Sequence, residues 1–531
     1  MYSGISDLRR WSFPAVIEEQ AEAQGDRVAV TMTTTGERLT YRELRDDAAR
    51  VAGMLAAAGA AAGDRIAVML PNGLDFLRAW AGIARLSATA VILNAELTGS
   101  FLAHPLSDAA PSILIVDARY WPRLADLDAA TASLRTIFVV GDHVPGTSAF
   151  DAWRAAEPSS APLPRADDIA CIMYTSGTTG APKGVLMPHA HCFLFGLGVV
   201  ENAGVTADDI YYVCLPLSHA NGLLMQIGAV LIAGASAMLR ERFSAAGWLP
   251  DLIRSGATLT NALGAISAFV QAQPPGERDR DHRLRLLIAA PNLPDHDRCW
   301  RERFGIADVL SGYGMTETNI ALYGRRGEPR PGTCGGVYPR FEVRIADPET
   351  DIPVATGEVG EIMVRPCVPG GFMAGYLNLP GKTVEAWRNL WFHTGDAGRI
   401  DADGHVTFVD RIKDCIRRRG ENISATDIEA ALEDFPGIDQ IAAYAVPSDI
   451  PGGEDEIMCA IVASAGAAID TAALAAHAAS RMPRFAQPRF IEFMPALPRT
   501  ATEKVRRADL RKRGVTSATL DLDVRSEKRD T

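Results

Sequence analysis

Helical and extended patterns of hydrophobic residues alternate along the first 160 residues. Thr40 and Glu43 have the spacing of a capping box, and apolar residues then recur at helical spacing up to Gly59, so a helix is predicted there. Short apolar runs of strand length follow at 64–70, 88–93, 113–116 and 136–140. Because helices and buried strands alternate, this segment predicts an α/β fold with a parallel sheet.

The pattern changes twice towards the C-terminus. From Val337, short extended runs separated by turns predict a β subdomain, with strands at 342–345, 360–365 and 405–409. After Arg411 an α+β pattern predicts helices at 425–432 and 471–481 and strands at 440–446, 457–463 and 490–493. We therefore predict a large N-terminal α/β domain over 1–410, a small mobile α+β domain over 411–515 and a polar tail over 516–531.

Composition and charge exclude several classes of protein. The 531 residues are 47% hydrophobic and 22% charged, which is typical of a globular protein, and no apolar run is long enough to span a bilayer. The net charge of −12 argues against a nucleic-acid partner. The eight cysteines form no C-x-x-C pair, so reduced thiols are expected. Since the N-terminus has no signal-peptide pattern, we expect a cytoplasmic protein. We expect it to be a monomer or a homodimer.

One loop carries the strongest chemical signal. Between the apolar runs 169–173 and 185–187, residues 174–184 read YTSGTTGAPKG. Three glycines and four Ser or Thr hydroxyls supply backbone N–H groups and side-chain donors for a polyanion, and Lys183 adds a cation. The spacing differs from a Walker A loop, because glycine follows the lysine. The loop therefore predicts phosphate binding by another arrangement.

This loop resembles the phosphate loop of adenylate-forming enzymes, which include acyl-CoA synthetases, the adenylation domains of peptide synthetases and luciferases. Further motifs similar to those of this family occur in order at 312–318 (GYGMTET), 391–396 (WFHTGD), 410–414 (DRIKD), 419–423 (RGENI) and 498–504 (PRTATEK). The resemblance extends from about residue 15 to residue 512 and implies binding of ATP and Mg²⁺.

The resemblance also implies individual roles in nucleotide binding. Tyr313 would offer a ring face to adenine, and Asp396 and Arg411 would bind the ribose. Thr316 would contact the α-phosphate, and Glu317 would ligate Mg²⁺. The full ATP-binding set implied is Thr175, Ser176, Gly177, Thr178, Thr179, Gly180, Lys183, Tyr313, Thr316, Asp396, Arg411 and Lys504.

Lys504 is expected to drive the first chemical step. In the family, this lysine offsets charge as the carboxylate attacks phosphorus. Glu503 departs from the family pattern, because it replaces a glycine that can adopt positive φ. The resemblance implies a catalytic set of Lys504, Thr316, Glu317 and Gly420.

The second half-reaction is expected to use the C-terminal region. Lys413 would be the hinge, and Arg417, Arg419 and Gly420 would bind coenzyme A. The arginine cluster 417–419 has an equally open alternative, a solvent-facing role.

The acyl pocket is expected to include His219, Asn221 and Gly314. Asn221 and Asn261 add polar groups, which favours small or polar acids over long-chain fatty acids. The segment 288–292 replaces a family segment richer in Ser and Gly and narrows the pocket edge. His189 and His191 have no third ligand at suitable spacing, so a loop or core role is expected for them.

We therefore expect an ATP-dependent acid–thiol ligase, an acyl-CoA synthetase that forms acyl-AMP and then an acyl-CoA. Residues 420–424 resemble those of carnitine- and crotonobetaine-type CoA ligases. One alternative is a stand-alone adenylating enzyme that loads a carrier-protein thiol. Another is a nucleotide-binding protein without catalysis, which intact Lys183, Glu317, Asp396 and Lys504 disfavour.

Overall fold

The structure is a computed structural model that describes residues 1–125, 127–175, 181–411, 415–418, 421–450, 454–498, 505 and 507–522. The chain forms two compact units. The large unit comprises Met1–Ala95, Leu106–Tyr174 and Gly184–Asp410. The small unit comprises Glu96–Pro105, Thr175–Lys183 and the described residues from Arg411 onwards.

Helices and strands alternate through most of the chain. The α-helices are α1 (Phe13–Gln24), α2 (Tyr41–Ala57), α3 (Leu74–Arg85), α4 (Gly99–Ala109), α5 (Asp128–Thr131), α6 (His189–Ala203), α7 (Gly228–Ala233), α8 (Ala245–Ser255), α9 (Gly264–Gln271), α10 (Pro294–Glu302), α11 (Pro380–Ala386), α12 (Ala425–Leu432), α13 (Thr471–Arg481) and α14 (Arg507–Arg513). A π-helical segment, Asn221–Ile227, leads directly into α7.

The strands are β1 (Val28–Met32), β2 (Arg38–Thr40), β3 (Arg65–Met69), β4 (Thr89–Ile92), β5 (Ile113–Asp117), β6 (Thr136–Val140), β7 (Ser148–Ala149), β8 (Ile169–Thr175), β9 (Lys183–Pro188), β10 (Ile210–Val213), β11 (Ser236–Leu239), β12 (Leu259–Leu263), β13 (Leu286–Ala290), β14 (Asp308–Met315), β15 (Asn319–Tyr323), β16 (Gly335–Val337), β17 (Phe341–Ala346), β18 (Gly360–Pro366), β19 (Gly375–Tyr376), β20 (Phe392–Ile400), β21 (His405–Arg411), β22 (Cys415–Arg418), β23 (Glu421–Ser424), β24 (Ile438–Val446), β25 (Glu456–Ala463), β26 (Phe490–Phe493) and β27 (Leu520–Asp521).

Two sheets form the large unit. One has the strand order β19-β9-β8-β4-β3-β5-β6-β7, and the strands from β8 to β7 pair in parallel. The other has the order β17-β18-β20-β21-β16-β15-β14-β13-β12-β10-β11-β1-β2. The expected α/β class with a parallel sheet is confirmed.

Strand β14 joins the parallel and antiparallel parts of the larger sheet. Its first half, up to Ser311, pairs in parallel with β13. Its second half, from Gly312 to Met315, pairs antiparallel with β15. The strands expected as a β subdomain are therefore hydrogen-bonded to the parallel strands through β14 and continue the same sheet.

Helix α6 lies at the centre of the hydrophobic core of the large unit. Nearly all of its residues are buried, including Phe193, which packs against Tyr2 and Trp11 of the N-terminal segment. A Cβ atom on Gly196 would lie 2.7 Å from the backbone of Gly228, so these two glycines let α6 and α7 approach closely. This packing fixes the start of α7, and with it the preceding π-helical segment.

The small unit contains a two-stranded sheet, β22-β23, and a four-stranded sheet, β24-β25-β26-β27. Helices α12 and α13 and strand β26 have the predicted bounds. Within the segment predicted as a polar tail, Leu520 and Asp521 pair with β26 as strand β27. Asp521 also forms an ion pair of 3.1 Å with Arg489. No helix among the described residues is both long and apolar enough to cross a bilayer.

Candidate active site

The GYGMTET segment forms the end of β14 and the turn into β15. In this turn the backbone N–H of Met315 donates to Thr318 Oγ1 at 3.1 Å. Any side chain at Gly314 would bring a Cβ atom to 2.0 Å from the carbonyl oxygen of Asn319. Asn319 itself has a φ of +67°, in the left-handed region that asparagine tolerates. The turn between the two strands thus consists of residues 316–318, with Thr316 and Glu317 at its tip.

A buried histidine supports this turn from below. His191, on α6, is fully buried, and burial lowers its pKa to about 4, so it is neutral at physiological pH. Its Nε2 lies 2.8 Å from the carbonyl oxygen of Thr316, which only accepts, so Nε2 is the protonated nitrogen. Asn319 Nδ2 donates at 2.9 Å to the carbonyl oxygen of His191 and completes the connection.

Glu317 is a buried carboxylate held by a tyrosine. Its exposed fraction is 3%, and Tyr376 Oη donates to its Oε1 at 3.0 Å. Burial and the nearby Glu317 charge both raise the pKa of Tyr376, which therefore remains a donor. The backbone N–H of Met373 also donates to the Glu317 carbonyl oxygen at 3.1 Å. Backbone and carboxylate of Glu317 are thus both fixed.

The nucleotide and ribose motifs meet at a second tyrosine–carboxylate pair. Tyr313 Oη donates to Asp396 Oδ2 at 2.7 Å, although the two residues lie 83 positions apart. Burial and the Asp396 charge raise the pKa of Tyr313. Asp396 is 3% exposed, whereas Tyr313 is half-buried. The partly accessible ring of Tyr313 thus lies next to the fixed carboxylate of Asp396.

The irregular part of β20 that carries Asp396 is held independently of Tyr313. Thr394 Oγ1 donates to the carbonyl oxygen of Ile362 at 2.6 Å and accepts from the Asp396 N–H at 3.1 Å. Gly395 has a φ of +73°, and its N–H donates to Glu361 Oε1 at 2.8 Å. The Thr-Gly-Asp sequence therefore places the carboxylate through a bulge in β20, where the positive φ favours glycine.

The phosphate-loop residues Ser176, Gly177, Thr178, Thr179 and Gly180 lie outside the described residues, but the loop's flanks are described. Tyr174 Oη donates to Asp108 Oδ2 at 2.8 Å, and Asn378 Nδ2 donates to Asp108 Oδ1 at 3.0 Å. Lys183 is the first residue of β9, and Thr175 is the last of β8. The loop thus starts and ends on adjacent strands, as the sequence predicts.

The predicted acyl-pocket residues His219 and Asn221 follow a loop anchored by Asn72. Asn72 Nδ2 donates to the carbonyl oxygen of Leu215 at 2.9 Å, and its Oδ1 accepts from the Leu217 N–H at 2.7 Å. A Cβ atom on Gly222 would lie 2.4 Å from the Pro216 carbonyl oxygen, which excludes larger residues there. Asn261 Nδ2 donates to Asn221 Oδ1 at 2.7 Å, so the structure brings the two asparagines together.

Several predicted residues of the small unit are not described. Lys413, Arg419, Gly420, Glu503 and Lys504 lie outside the described residues, as do the side chains of Arg411 and Arg417. The middle arginine of the 417–419 cluster, Arg418, is 4% exposed and forms an ion pair of 2.7 Å with Glu456. Arg418 therefore has a structural role inside the small unit and does not fit the solvent-facing alternative for the cluster.

Two family models match the chain. The model of the AMP-binding enzyme matches residues 17–377, and the model of the AMP-binding enzyme C-terminal domain matches residues 427–504. The first match alone covers more than half of the chain. The chain belongs to the AMP-binding enzyme family. The expected class, an ATP-dependent acid–thiol ligase of the acyl-CoA synthetase type, is confirmed.

Relatives and solved structures of this family match over nearly the full length. A crotonobetaine/carnitine–CoA ligase from Escherichia coli O8 is 30% identical over 93% of this chain and 98% of its own length. ATP-bound MatB from Rhodopseudomonas palustris is 29% identical, with a TM-score of 0.70 over 94% of this chain and 99% of that one. The amide bond synthetase McbA from Marinactinospora thermotolerans is 24% identical, with a TM-score of 0.83 over 94% and 99%, and shares the fold.

The candidate site contains supporting residues that the sequence does not reveal. Tyr376, Asn319 and Asn72 carry no motif signal, and His191 was expected only as a loop or core residue. His191 is indeed in the core, but it also contacts the Thr316 backbone. Partners of His191 and Tyr376 lie 125 and 59 positions away, so only the folded chain identifies them.

Proposed function

We propose that this AMP-binding enzyme activates a small or polar carboxylic acid with ATP and transfers the acyl group to coenzyme A. In the first step a carboxylate oxygen bonds to the α-phosphorus of ATP, and the bond to pyrophosphate breaks. In the second step the thiol sulfur of coenzyme A bonds to the acyl carbon, and AMP leaves with the electron pair. ATP and coenzyme A are the co-substrates, so we expect the enzyme to work in the cytoplasm.

The observation that carries this proposal is the contact between Tyr313 and Asp396. An aromatic ring beside a fixed carboxylate suits a nucleoside, because the ring stacks on the base and the carboxylate accepts from ribose hydroxyls. We assign the second ribose contact to Arg411 and the α-phosphate contact to Thr316. The β- and γ-phosphates are assigned to the loop 175–180 and Lys183.

Glu317 fits a magnesium ligand. Its buried carboxylate is a hard oxygen donor, fixed by Tyr376 at 3.0 Å. Among the described residues no group of three His, Cys, Asp or Glu side chains converges, so a metal here would take its other ligands from phosphate and water. When bound, Mg²⁺ would neutralise phosphate charge during the displacement. The role of the protein at this point is to hold the carboxylate in place.

Lys504 is proposed to stabilise the charge that develops on the α-phosphate and carboxylate. After adenylation, the small domain, residues 411–515, would rotate about Lys413 and bring Gly420 to the thiol, with Arg417 and Arg419 on the phosphates of coenzyme A. Separate residues for two half-reactions require such a movement.

Lys504→Ala tests this assignment. We expect ATP–pyrophosphate exchange to collapse, while thioester formation from supplied acyl-AMP survives. Lys512→Ala is the matched control, because Lys512 is an exposed lysine on α14 of the same unit. Exchange at the level of the Lys512→Ala control would show that Lys504 is not the adenylation lysine.

The acceptor is tested directly with coenzyme A and with a phosphopantetheinyl carrier protein. Preference for coenzyme A supports the proposal. A carrier preference would instead identify a stand-alone adenylating enzyme.

A further inference from the structure

A chain of buried polar side chains leads from the core of the large unit to Asn221. Tyr211 Oη donates to Asn261 Oδ1 at 2.6 Å, and Asn261 Nδ2 donates to Asn221 Oδ1 at 2.7 Å. Gln226 Nε2 donates to the same Asn221 oxygen at 3.0 Å. Tyr211 and Gln226 are fully buried and Asn261 is 1% exposed, whereas Asn221 is only half-buried. We call these four residues the amide relay.

The direction of the hydrogen bonds in the amide relay follows from the tyrosine. Burial raises the pKa of Tyr211, so its hydroxyl is protonated and has one hydrogen to donate. Among the described residues its acceptor is Asn261 Oδ1, which leaves the Asn261 amide nitrogen facing Asn221. Reversed amides would leave the tyrosine O–H and the Gln226 NH₂ group buried without an acceptor. Among the fully buried polar atoms of the relay, the observed direction leaves only Gln226 Oε1 without a hydrogen-bond partner in the described structure.

The same direction fixes the outer end of the relay. Asn221 Oδ1 accepts hydrogen bonds from Asn261 Nδ2 and Gln226 Nε2 in the protein interior. The Asn221 NH₂ group therefore lies on the other side of the amide carbon. Within the described part of the chain, that NH₂ group donates no hydrogen bond. Asn221 therefore presents N–H donors, and no acceptor, at the half-buried end of the relay.

The sheet places the relay across from the nucleotide motif. Asn261 on β12 is in register with Ile288 on β13, and Ile288 is in register with Leu310 on β14. Two strand spacings, about 10 Å, therefore separate Asn261 from the strand that continues into Gly312 and Tyr313. Asn221, which is hydrogen-bonded to Asn261, would therefore meet the distal part of an acid whose carboxylate lies beside Tyr313.

We propose that Asn221 determines specificity by donating its amide N–H to an uncharged oxygen acceptor, such as a ketone, on the distal part of the acid. The inference rests on the proposed function and names the substrate class for that same site. All four relay groups are uncharged, so a distal carboxylate would be desolvated there without a cation from the relay. A distal quaternary ammonium group would meet N–H donors, whose positive ends face it.

Matched acids of similar length test the proposal through pyrophosphate release. The panel comprises hexanoate, 5-oxohexanoate, adipate and 4-(trimethylammonio)butanoate. We expect the wild-type enzyme to have a kcat/KM for 5-oxohexanoate about tenfold or more above that for each of the others, the ratio that one good hydrogen bond supplies. A wild-type enzyme that uses hexanoate or the ammonium acid as well as 5-oxohexanoate would overturn the proposal.

Asn221→Asp is the sharpest variant, because one carboxylate oxygen keeps both internal hydrogen bonds while the other replaces the NH₂ group. We expect the preference for 5-oxohexanoate over hexanoate to fall about tenfold and use of the ammonium acid to rise. Asn221→Leu should lose the preference for 5-oxohexanoate over hexanoate without a rise in use of the ammonium acid. An Asn221→Asp enzyme with wild-type ratios would refute the role of Asn221.

Tyr211→Phe tests the relay as a positioning element. Without the hydroxyl the amides are free to reverse, so we expect the preference for 5-oxohexanoate to shrink while adenylation of hexanoate continues. Tyr212→Phe is the matched control, since Tyr212 is equally buried but bonds to Asp251 at 3.1 Å in a separate hydrophobic cluster. An equal change in both variants would indicate a merely structural effect and contradict the proposal.

The readouts separate this inference from the proposed function. Pyrophosphate release reports the acid preference, whereas acyl-CoA formation reports the acceptor. Ketone-dependent pyrophosphate release without acyl-CoA would support the relay and refute coenzyme A as acceptor. Acyl-CoA formation without ketone preference would support the function and refute the relay.

Discussion

Removal of the Tyr376 hydroxyl tests whether Glu317 must be held in place for adenylation. In Tyr376→Phe the buried carboxylate loses a hydrogen bond of 3.0 Å, while the ring still fills its site. A hydrogen bond to a charged group contributes about 1.5–3 kcal/mol, so we expect the free energy of unfolding to fall by that amount. If Glu317 ligates the metal, losing the group that orients it should lower the rate of pyrophosphate release about 10- to 100-fold.

The measurement combines urea unfolding with an assay of pyrophosphate release at several Mg²⁺ concentrations. Tyr323→Phe is the control, because its hydroxyl is buried in the same unit and has no hydrogen-bond partner among the described residues. Removing that hydroxyl should leave stability unchanged or slightly improved.

A Glu317→Gln background makes the test more specific. Tyr376→Phe should then cost only about 0.5–1.5 kcal/mol, since the acceptor is neutral. A Tyr376→Phe enzyme that matches Tyr323→Phe in both stability and rate would refute the role of Tyr376 in holding Glu317.

Three further changes probe the architecture around the site. Asn72→Ala should destabilise the large unit by about 2–4 kcal/mol and raise the KM for the acid, because the loop before His219 loses the hydrogen bonds that anchor it. Unchanged stability in urea unfolding would contradict this prediction. Burial lowers the pKa of His189 to about 3, below the value of about 6.5 expected in the unfolded chain. The free energy of unfolding should therefore fall as pH drops from about 6.5 towards 4. In His189→Gln the free energy of unfolding should fall less steeply over the same pH range. Burial raises the pKa of Asp427 to about 7, so between pH 4 and 7 the folded small unit binds a proton that the unfolded chain has lost. Its free energy of unfolding should therefore fall as pH rises through that window. Asp427→Asn should remove this pH dependence of stability, and an unchanged dependence would refute the assignment.

Local patterns predict the elements of this fold well. The Thr40–Glu43 capping box forms both of its hydrogen bonds, and α2 begins at the next residue, Tyr41. Helices α12 and α13 also have the predicted bounds. In each case the signal lies within one element, because capping and periodicity depend only on neighbours in sequence.

Contacts between distant segments were not predictable in the same way. The change of β14 from parallel to antiparallel pairing depends on which strands flank it, and Gly312–Met315 carry no mark of that choice. The contact of His191 with Thr316 and that of Tyr376 with Glu317 likewise connect separate elements. The motifs predict the candidate site residues, whereas the residues that hold them in place are identified only by the packing of the folded chain.

Three tyrosines in the large unit fix polar groups in the same way. Tyr376 holds Glu317, Tyr313 holds Asp396 and Tyr211 holds Asn261, each by donating its hydroxyl hydrogen to a side-chain oxygen. Burial raises the pKa of all three hydroxyls above the ordinary value of about 10, so each remains a donor across physiological pH. The three hydroxyls therefore do not lose their protons in that range. We expect that a pH dependence of adenylation between 6 and 9 would not arise from these tyrosines.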